Sequence, residues 1–295
     1  MKRAPSGADS SFILHPSSFV LPRGRALKLG ITPLVMSVLN VTPDSFSDGG
    51  VNFEPARAVQ AALAMEADGA AIIDVGGEST RPGAEPVGLA AELERVVPVI
   101  EGIRRLSDVP LSVDTTKAAV AQAAIDAGAD LINDVSALRG DPEMAKVAAR
   151  AGVPVILMHM RGEPRTMQTL TGYDDVVSDV AHELHGFVDA ARSAGVEQIL
   201  IDPGIGFAKT FDQNLEILAR CNELASIAPF VIGASRKGFI GHLTGREPGP
   251  DRAAGSLAAV AAAHRGGAAV VRVHDVRATV DFLRVSAAIA AKEPR

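Results

Sequence analysis

From residue 34 onward, short apolar runs of strand length recur along the chain. Each turns abruptly polar at its end, and each is followed by an Ala-rich stretch with helical spacing. The runs predict strands over 34–41, 71–75, 111–114, 131–135, 153–158, 198–201, 230–234 and 269–273. Between them the spacing predicts helices near 55–68, 89–106, 117–127, 142–151, 173–194, 214–225, 252–264 and 277–290. Gly69, Gly128, Gly152, Gly195 and Gly266 stand where several of those helices should stop. Near-continuous apolar strands separated by helices belong to an all-parallel sheet covered on one side by helices. Eight such units predict an α/β fold, a closed (β/α)8 barrel of one domain over 29–295. An open doubly wound sheet is the weaker alternative, since no G-x-G-x-x-G follows the first strand and there is no Walker A loop.

Ahead of the barrel, residues 1–28 read as a flexible tail rich in Ser, Pro and Gly, with the stretch from Ala26 to Leu29 as the edge of a small hairpin. The apolar triplet from Phe12 to Leu14 is broken by His15 and Pro16, which makes a poor signal peptide. No apolar run reaches the length of a membrane span, so a cytoplasmic protein without membrane contact is expected. A net charge of −6 over 295 residues gives no global field for nucleic acid, so an anionic substrate needs local cations or a metal. The single Cys221 excludes an intramolecular disulfide, and its helical surroundings mark it as a small core side chain rather than a nucleophile.

The polar ends of the strands carry the candidate chemistry. In chain order they are Asn40, Asp74, Asp114, Asn133, His159, Asp202, the run Ser235, Arg236 and Lys237, and then Arg272 with His274. In a barrel these residues meet in one cup at the C-terminal mouth. Each has a plainer role open to it when taken alone. Asp114 and Thr115 suit a helix cap, Asn133 and Asp134 a turn, His159 a hydrogen-bonded core histidine, and Lys237 a solvated surface. So many in phase with strand ends are hard to explain as capping. Carboxylates and an amide suit a flat heterocycle whose edge donates from an amino group and a ring N–H. Lys237 then meets a ring carbonyl or nitrogen, and the planar guanidinium of Arg272 stacks on the ring. Arg272 and His274 share a strand face and can bind phosphate oxygens together.

Metal chemistry looks secondary, since there is no H-E-x-x-H, cysteine cluster or EF-hand loop. His182 and His185 read as a solvated helix face. Mg2+ held by Asn40 and phosphate oxygens suits a cation that keeps most of its waters. Two Gly-rich polar loops, 42–50 with Phe46 and Asp48 and 76–84 with Thr80, Arg81 and Pro82, read as lids over the mouth.

At these residues the chain closely resembles the dihydropteroate synthase family. The matching motifs begin with Leu39-Asn-Val-Thr-Pro-Asp-Ser-Phe-Ser-Asp-Gly-Gly50 and Asp74-Val-Gly-Gly-Glu-Ser-Thr-Arg-Pro-Gly83. They continue with Ser112-Val-Asp-Thr115, Ile132-Asn-Asp-Val135, Met158-His159, Asp202-Pro-Gly-Ile-Gly-Phe207, Gly233-Ala-Ser-Arg-Lys237 and Arg272-Val-His-Asp275. The resemblance implies a homodimeric barrel that joins 6-hydroxymethyl-7,8-dihydropterin diphosphate to p-aminobenzoate, with Mg2+, giving 7,8-dihydropteroate and diphosphate. It implies that Asp114, Asn133, Asp202 and Lys237 bind the pterin edge, that Arg272 packs on its face, and that Met158, Phe207 and Gly233 line the slot. Asn40 would hold Mg2+, while Arg272, His274 and Thr80 would meet the diphosphate. Phe46, Thr80, Arg81 and Pro82 would frame p-aminobenzoate, and Asp48, Arg81 and Lys237 are the candidate catalytic residues. Gly238 stands where some members have Ser, and Ser37 replaces a common Gly. Sulfonamide inhibition follows as an expectation. Two other classes stay open: a non-catalytic pterin-binding paralogue, and a methyltransferase acting on methyltetrahydrofolate.

Overall fold

The computed structural model describes residues 17–42, 55–79 and 84–292. A hairpin of β1 (Ser18–Leu21) and β2 (Arg25–Lys28) leads into the barrel. The barrel strands are β3 (Leu34–Asn40), β4 (Ile72–Gly76), β5 (Leu111–Asp114), β6 (Leu131–Asp134), β7 (Val155–Met158), β8 (Ile199–Asp202), β9 (Val231–Ile232) and β10 (Val270–Val273). All their pairings are parallel, in the order β8-β7-β6-β5-β4-β3-β10-β9. A parallel bridge between Ile201 and Phe230 joins the two ends of that order and closes the ring. The expected closed (β/α)8 barrel is therefore the fold, and the open-sheet alternative falls.

The connecting helices are α1 (Pro55–Ala67), α2 (Leu89–Arg104), α3 (Ala118–Ala127), α4 (Met144–Ala151), α5 (Val176–Ser193), α6 (Phe211–Ala219), α7 (Gly238–Thr244), α8 (Ala253–Arg265) and α9 (Val276–Ala290). Side chains on an extended strand alternate faces. One set, including Val35, Ile73, Val113 and Ile132, therefore points outward into the main core beneath the helices. The other set, Met36, Ile72, Leu131, Ile156, Leu200 and Val270, points inward and fills the barrel. The same alternation carries Asp74, Asp114, Asn133 and Asp202 inward at the strand ends.

The hairpin corrects the expected tail boundary at residue 28. Phe19, Leu21 and Leu27 are buried with the inward set and plug the barrel floor. Its arginines tie it down. Arg23 Nη2 donates to Asp130 Oδ1 at 2.7 Å, Arg25 reaches the same carboxylate, and Arg104 Nη2 donates to Asp130 Oδ2 at 2.8 Å. Asp130 is fully buried and also accepts from the Leu111 backbone N–H at 3.0 Å. Plugging the floor leaves the C-terminal mouth as the open end of the barrel.

Candidate active site

Arg272 stands at the centre of the cup. Its Nε donates to Asp74 Oδ2 at 2.7 Å, and its Nη2 donates to Asp114 Oδ2 at 2.8 Å. Asn133 Nδ2 donates to the same Asp74 oxygen at 3.0 Å. Strands β10, β4 and β5 thus meet through one guanidinium, and β6 joins them through Asp74, as the inward alternation requires. Burial pushes Asp114 up to about 7, against the pull of the Arg272 charge and with the push of Asp74 beside it. Burial also works against the charge on Arg272, but Asp74 and Asp114 outweigh it and hold the guanidinium firmly protonated. Two buried polar atoms at this level, Asp74 Oδ1 and Ser112 Oγ, have no partner. Unpaired buried acceptors and hydroxyls of this kind call for a polar ligand or water.

Asp202 faces Arg272 from β8. Its Oδ1 accepts the Gly204 backbone N–H at 2.7 Å. Burial raises its pKa, opposed first by that hydrogen bond and then by the charges of Lys237 and Arg272. The turn after it is sharp. Gly204 adopts φ 68°, and a Cβ there would lie 2.0 Å from the His159 carbonyl oxygen, so glycine is required. Gly233 leaves room instead of turning the chain. A Cβ there would stand 3.6 Å from Asp202 Oδ2 and 3.9 Å from Arg272 Cβ, inside the space between them. Phe207 lies across the turn, with Lys237 Nζ 4.4 Å from its ring centroid in a cation–π contact. Met158 and Phe207 pack with Met160 and Met167 as an apolar wall. The result is a strand-end slot lined by carboxylates and an amide, with an apolar side and two cations.

The expected residues Asp74, Asp114, Asn133, Asp202, Lys237, Met158, Phe207, Gly233 and Arg272 come together here. His274 sits beside them, its Nδ1 3.1 Å from Ser235 Oγ. Phe46, Asp48, Thr80, Arg81 and Pro82 lie outside the described residues. His159 is a correction. It follows inward-facing Met158 and so faces out, fully buried between Glu183 and Lys209, which is the hydrogen-bonded core role. Arg236 also turns from the cup and pairs with Asp275. Sequence reasoning missed Lys209 altogether, because a single lysine after an apolar turn reads as solvated. It is buried.

Asn40 ends β3 at the rim, half-buried, with a hard amide oxygen. Among the described residues there is no cluster of three or more His, Cys, Asp or Glu side chains able to hold a metal. That donor set fits a cation that keeps its waters and borrows oxygens from a substrate, and it does not fit a resident all-protein cage. His182 and His185 are exposed on α5. Cys221 is buried, with burial raising its thiol, as a core side chain. Among the described residues no helix is long and apolar enough to cross a membrane.

Known proteins share this arrangement. Residues 36–274 match the model of the family described as pterin binding enzyme. The dihydropteroate synthase of Synechocystis is 47% identical over 273 residues, covering 91% of this chain and 94% of that protein. The Xanthomonas albilineans dihydropteroate synthase solved with 4-aminobenzoic acid is 46% identical with a TM-score of 0.87, covering 94% of this chain and 99% of that one. The same enzyme solved with 7,8-dihydropteroate is 45% identical with a TM-score of 0.83, covering 92% and 98%. Buried carboxylates, an amide and two cations at the strand ends, and a match that runs from β3 to β10, lead to one family: the chain belongs to the pterin-binding enzymes, and the relatives it resembles there are dihydropteroate synthases.

Proposed function

We propose that this chain is a dihydropteroate synthase, a transferase of folate biosynthesis. It condenses 6-hydroxymethyl-7,8-dihydropterin diphosphate with p-aminobenzoate to give 7,8-dihydropteroate and diphosphate. The observation that carries the proposal is the buried set of Asp114, Asn133 and Asp202 facing Lys237 and Arg272 across a slot with room at Gly233. The amino group and ring N–H of the pterin donate to carboxylate oxygens, with Asp202 and Asp114 as acceptors and Asn133 beside them. Lys237 donates to the ring carbonyl or nitrogen. Arg272 lies against the ring face and, with His274 and Thr80, turns toward the diphosphate. In the structure it is spent on Asp74 and Asp114, so pterin binding at Asp114 releases it for that task.

The C–O bond between the pterin methylene and diphosphate breaks, and its electron pair leaves with diphosphate. The electron-rich dihydropterin spreads the positive charge on the methylene. The arylamine nitrogen then forms the new C–N bond, and its surplus proton goes to water. An arylamine is a weak base and needs no strong general base, so catalysis comes from positioning and electrostatics. Phe46, Pro82 and Arg81 frame p-aminobenzoate, and the loops bearing Asp48 and Arg81 keep water from the cation. When bound at Asn40, Mg2+ supplies charge neutralisation of the diphosphate. A cytoplasmic homodimer goes with this function. Val285 and Ile289, one turn apart on α9 and each about three-fifths exposed, suit such an interface.

The test is product formation from both substrates with Mg2+, followed by chromatography, with a sulfonamide as competitor. A 7,8-dihydropteroate peak that the sulfonamide suppresses supports the function. Absence of product from folded protein that binds the pterin rejects it in favour of a non-catalytic pterin binder.

A further inference from the structure

The turn of residues 203–209 is wound around an ammonium group. Lys209 is 3% exposed, yet its Nζ donates to the Phe207 carbonyl at 2.9 Å and the Gly204 carbonyl at 3.2 Å. The third contact is His159 Nδ1 at 3.0 Å. Both carbonyls belong to the turn that presents Asp202 and Phe207 to the slot. Ala208 within it holds φ 51°, and Tyr173 Oη donates to the Ala208 carbonyl at 3.0 Å. An ammonium has three N–H donors and a neutral amine has two. With the two carbonyls and an accepting His159 Nδ1 as partners, the three donors of the ammonium are all used, although burial, the largest influence, brings Lys209 down to about 7.

Glu183 fixes the histidine. Its carboxylate is held ionised, down to about 2 by the hydrogen bond to His159, and can only accept, so the ring proton sits on Nε2, 3.0 Å from Glu183 Oε2, and Nδ1 is left to accept from Lys209. His159 is neutral, since burial lowers it to about 4. Arg161 Nε donates to the other Glu183 oxygen at 2.9 Å. A chain of side chains thus runs from the surface of α5 to the back of the turn. The charged groups that act on Lys209 are Asp202 and Glu183, which favour its charge, and Arg161 and Lys237, which oppose it. Asp202 receives the complementary benefit, because Lys209 is among the charges that favour its ionised form.

We propose that Lys209 is a positioning residue of the pterin site. Its buried ammonium ties the Gly204 and Phe207 carbonyls to His159, and from behind the turn it adds to Lys237 and Arg272 as a counter-charge that keeps Asp202 an acceptor for the pterin edge. The proposal rests on the pterin-binding role given to Asp202 above. Glu183 acts through His159 at the far end and secures the charge on Lys209.

The experiment is calorimetric titration of the purified protein with the pterin diphosphate between pH 6 and 9, on wild type, Lys209→Met, Glu183→Gln and Asp202→Asn. Lys209→Met is expected to weaken pterin binding at least tenfold near pH 7. Its affinity should then keep rising with pH beyond the point at which wild type, where Asp114 ionises near pH 7, has levelled, because Asp202, left with Lys237 and Arg272 alone, ionises later. The KM for p-aminobenzoate should stay within about twofold of wild type. Glu183 is partly exposed, so Glu183→Gln should fold even if Lys209→Met does not. It is expected to shift the profile in the same direction by a smaller factor. A merely structural role for Lys209 would lower the melting temperature without moving the pH profile. Wild-type affinity and pH profile in both variants, with binding lost in Asp202→Asn, would overturn the proposal. Wild-type binding by Asp202→Asn would instead overturn the pterin-site assignment on which it rests.

Discussion

Arg272→Met removes the cation that bridges Asp74 and Asp114 and leaves an apolar stem of similar length. Both carboxylates are buried, at 0% and 8% exposure. Breaking a buried pair by deleting one partner costs about 3–5 kcal/mol, because the remaining charge is uncompensated. Here the cost depends on pH. The folded pKa of Asp114 lies well above its unfolded value, raised by burial to about 7. A raised carboxyl contributes stability that is fully present below the unfolded pKa, near pH 4, and is lost as pH rises through the folded pKa. Arg272 limits that loss in the wild type, since its charge favours the ionised form. Without it the loss continues to higher pH. At pH 8.5 the variant should be less stable than wild type by the full ~3–5 kcal/mol. At pH 5.5 Asp114 is neutral in both proteins, and what remains is the hydrogen bond to Asp74, about 1.5–3 kcal/mol. Urea unfolding followed by circular dichroism at the two pH values reads the difference directly. A destabilisation equal at both would refute the view that Arg272 is the counter-charge of a high-pKa carboxyl.

Gly204→Ala places a Cβ 2.0 Å from the His159 carbonyl oxygen at a positive φ, so the Asp202 turn must move. Pterin affinity should fall at least tenfold, and wild-type affinity in a calorimetric titration would show that the turn tolerates the change. Asp130→Ala strips the common partner from Arg23, Arg25 and Arg104 and should cost about 3–5 kcal/mol in urea unfolding. Turnover of the protein that remains folded should be unchanged, because the latch lies at the closed end of the barrel. Asp48→Ala and Arg81→Ala should lower turnover far more than pterin affinity if their loops shield the methylene cation. Equal losses in steady-state kinetics and in binding would reject that role.

The barrel was legible because its signal is redundant. Strand β5 falls at 111–114 as the apolar run indicated, and most other strands differ from their expected limits by one or two residues. Strand β9 is shorter than expected, Val231–Ile232, since Gly233 and Ala234 already belong to the mouth. The helix expected over 214–225 begins earlier, at Phe211, where Thr210 forms a capping box with Gln213. It then breaks near Arg220 into a 3-10 segment, Cys221–Ser226. Short α7 gives no periodic signal of its own, because its seven residues are too few to show a helical period, and only the family resemblance points to a helix after Lys237. At the site, inward and outward positions were the difficulty. A polar residue at a strand end reads the same on either face, so His159 looked like part of the cup when it belongs to the wall behind it. Lys209 was hidden for a related reason: nothing local tells a lysine that folds back under its own turn from one that reaches into water. The hairpin was underestimated because the 18–28 stretch has too few apolar positions to look like a core element, whereas the open floor of a barrel needs only Phe19, Leu21 and Leu27.

The central claim is that the slot holds a pterin diphosphate for attack by an arylamine. Diphosphate release by purified protein, measured with the pterin diphosphate and Mg2+ in the presence and absence of p-aminobenzoate, tests it most directly. Release that rises with p-aminobenzoate and matches dihydropteroate mole for mole is the predicted result. Pterin binding with no diphosphate released in either condition would contradict it.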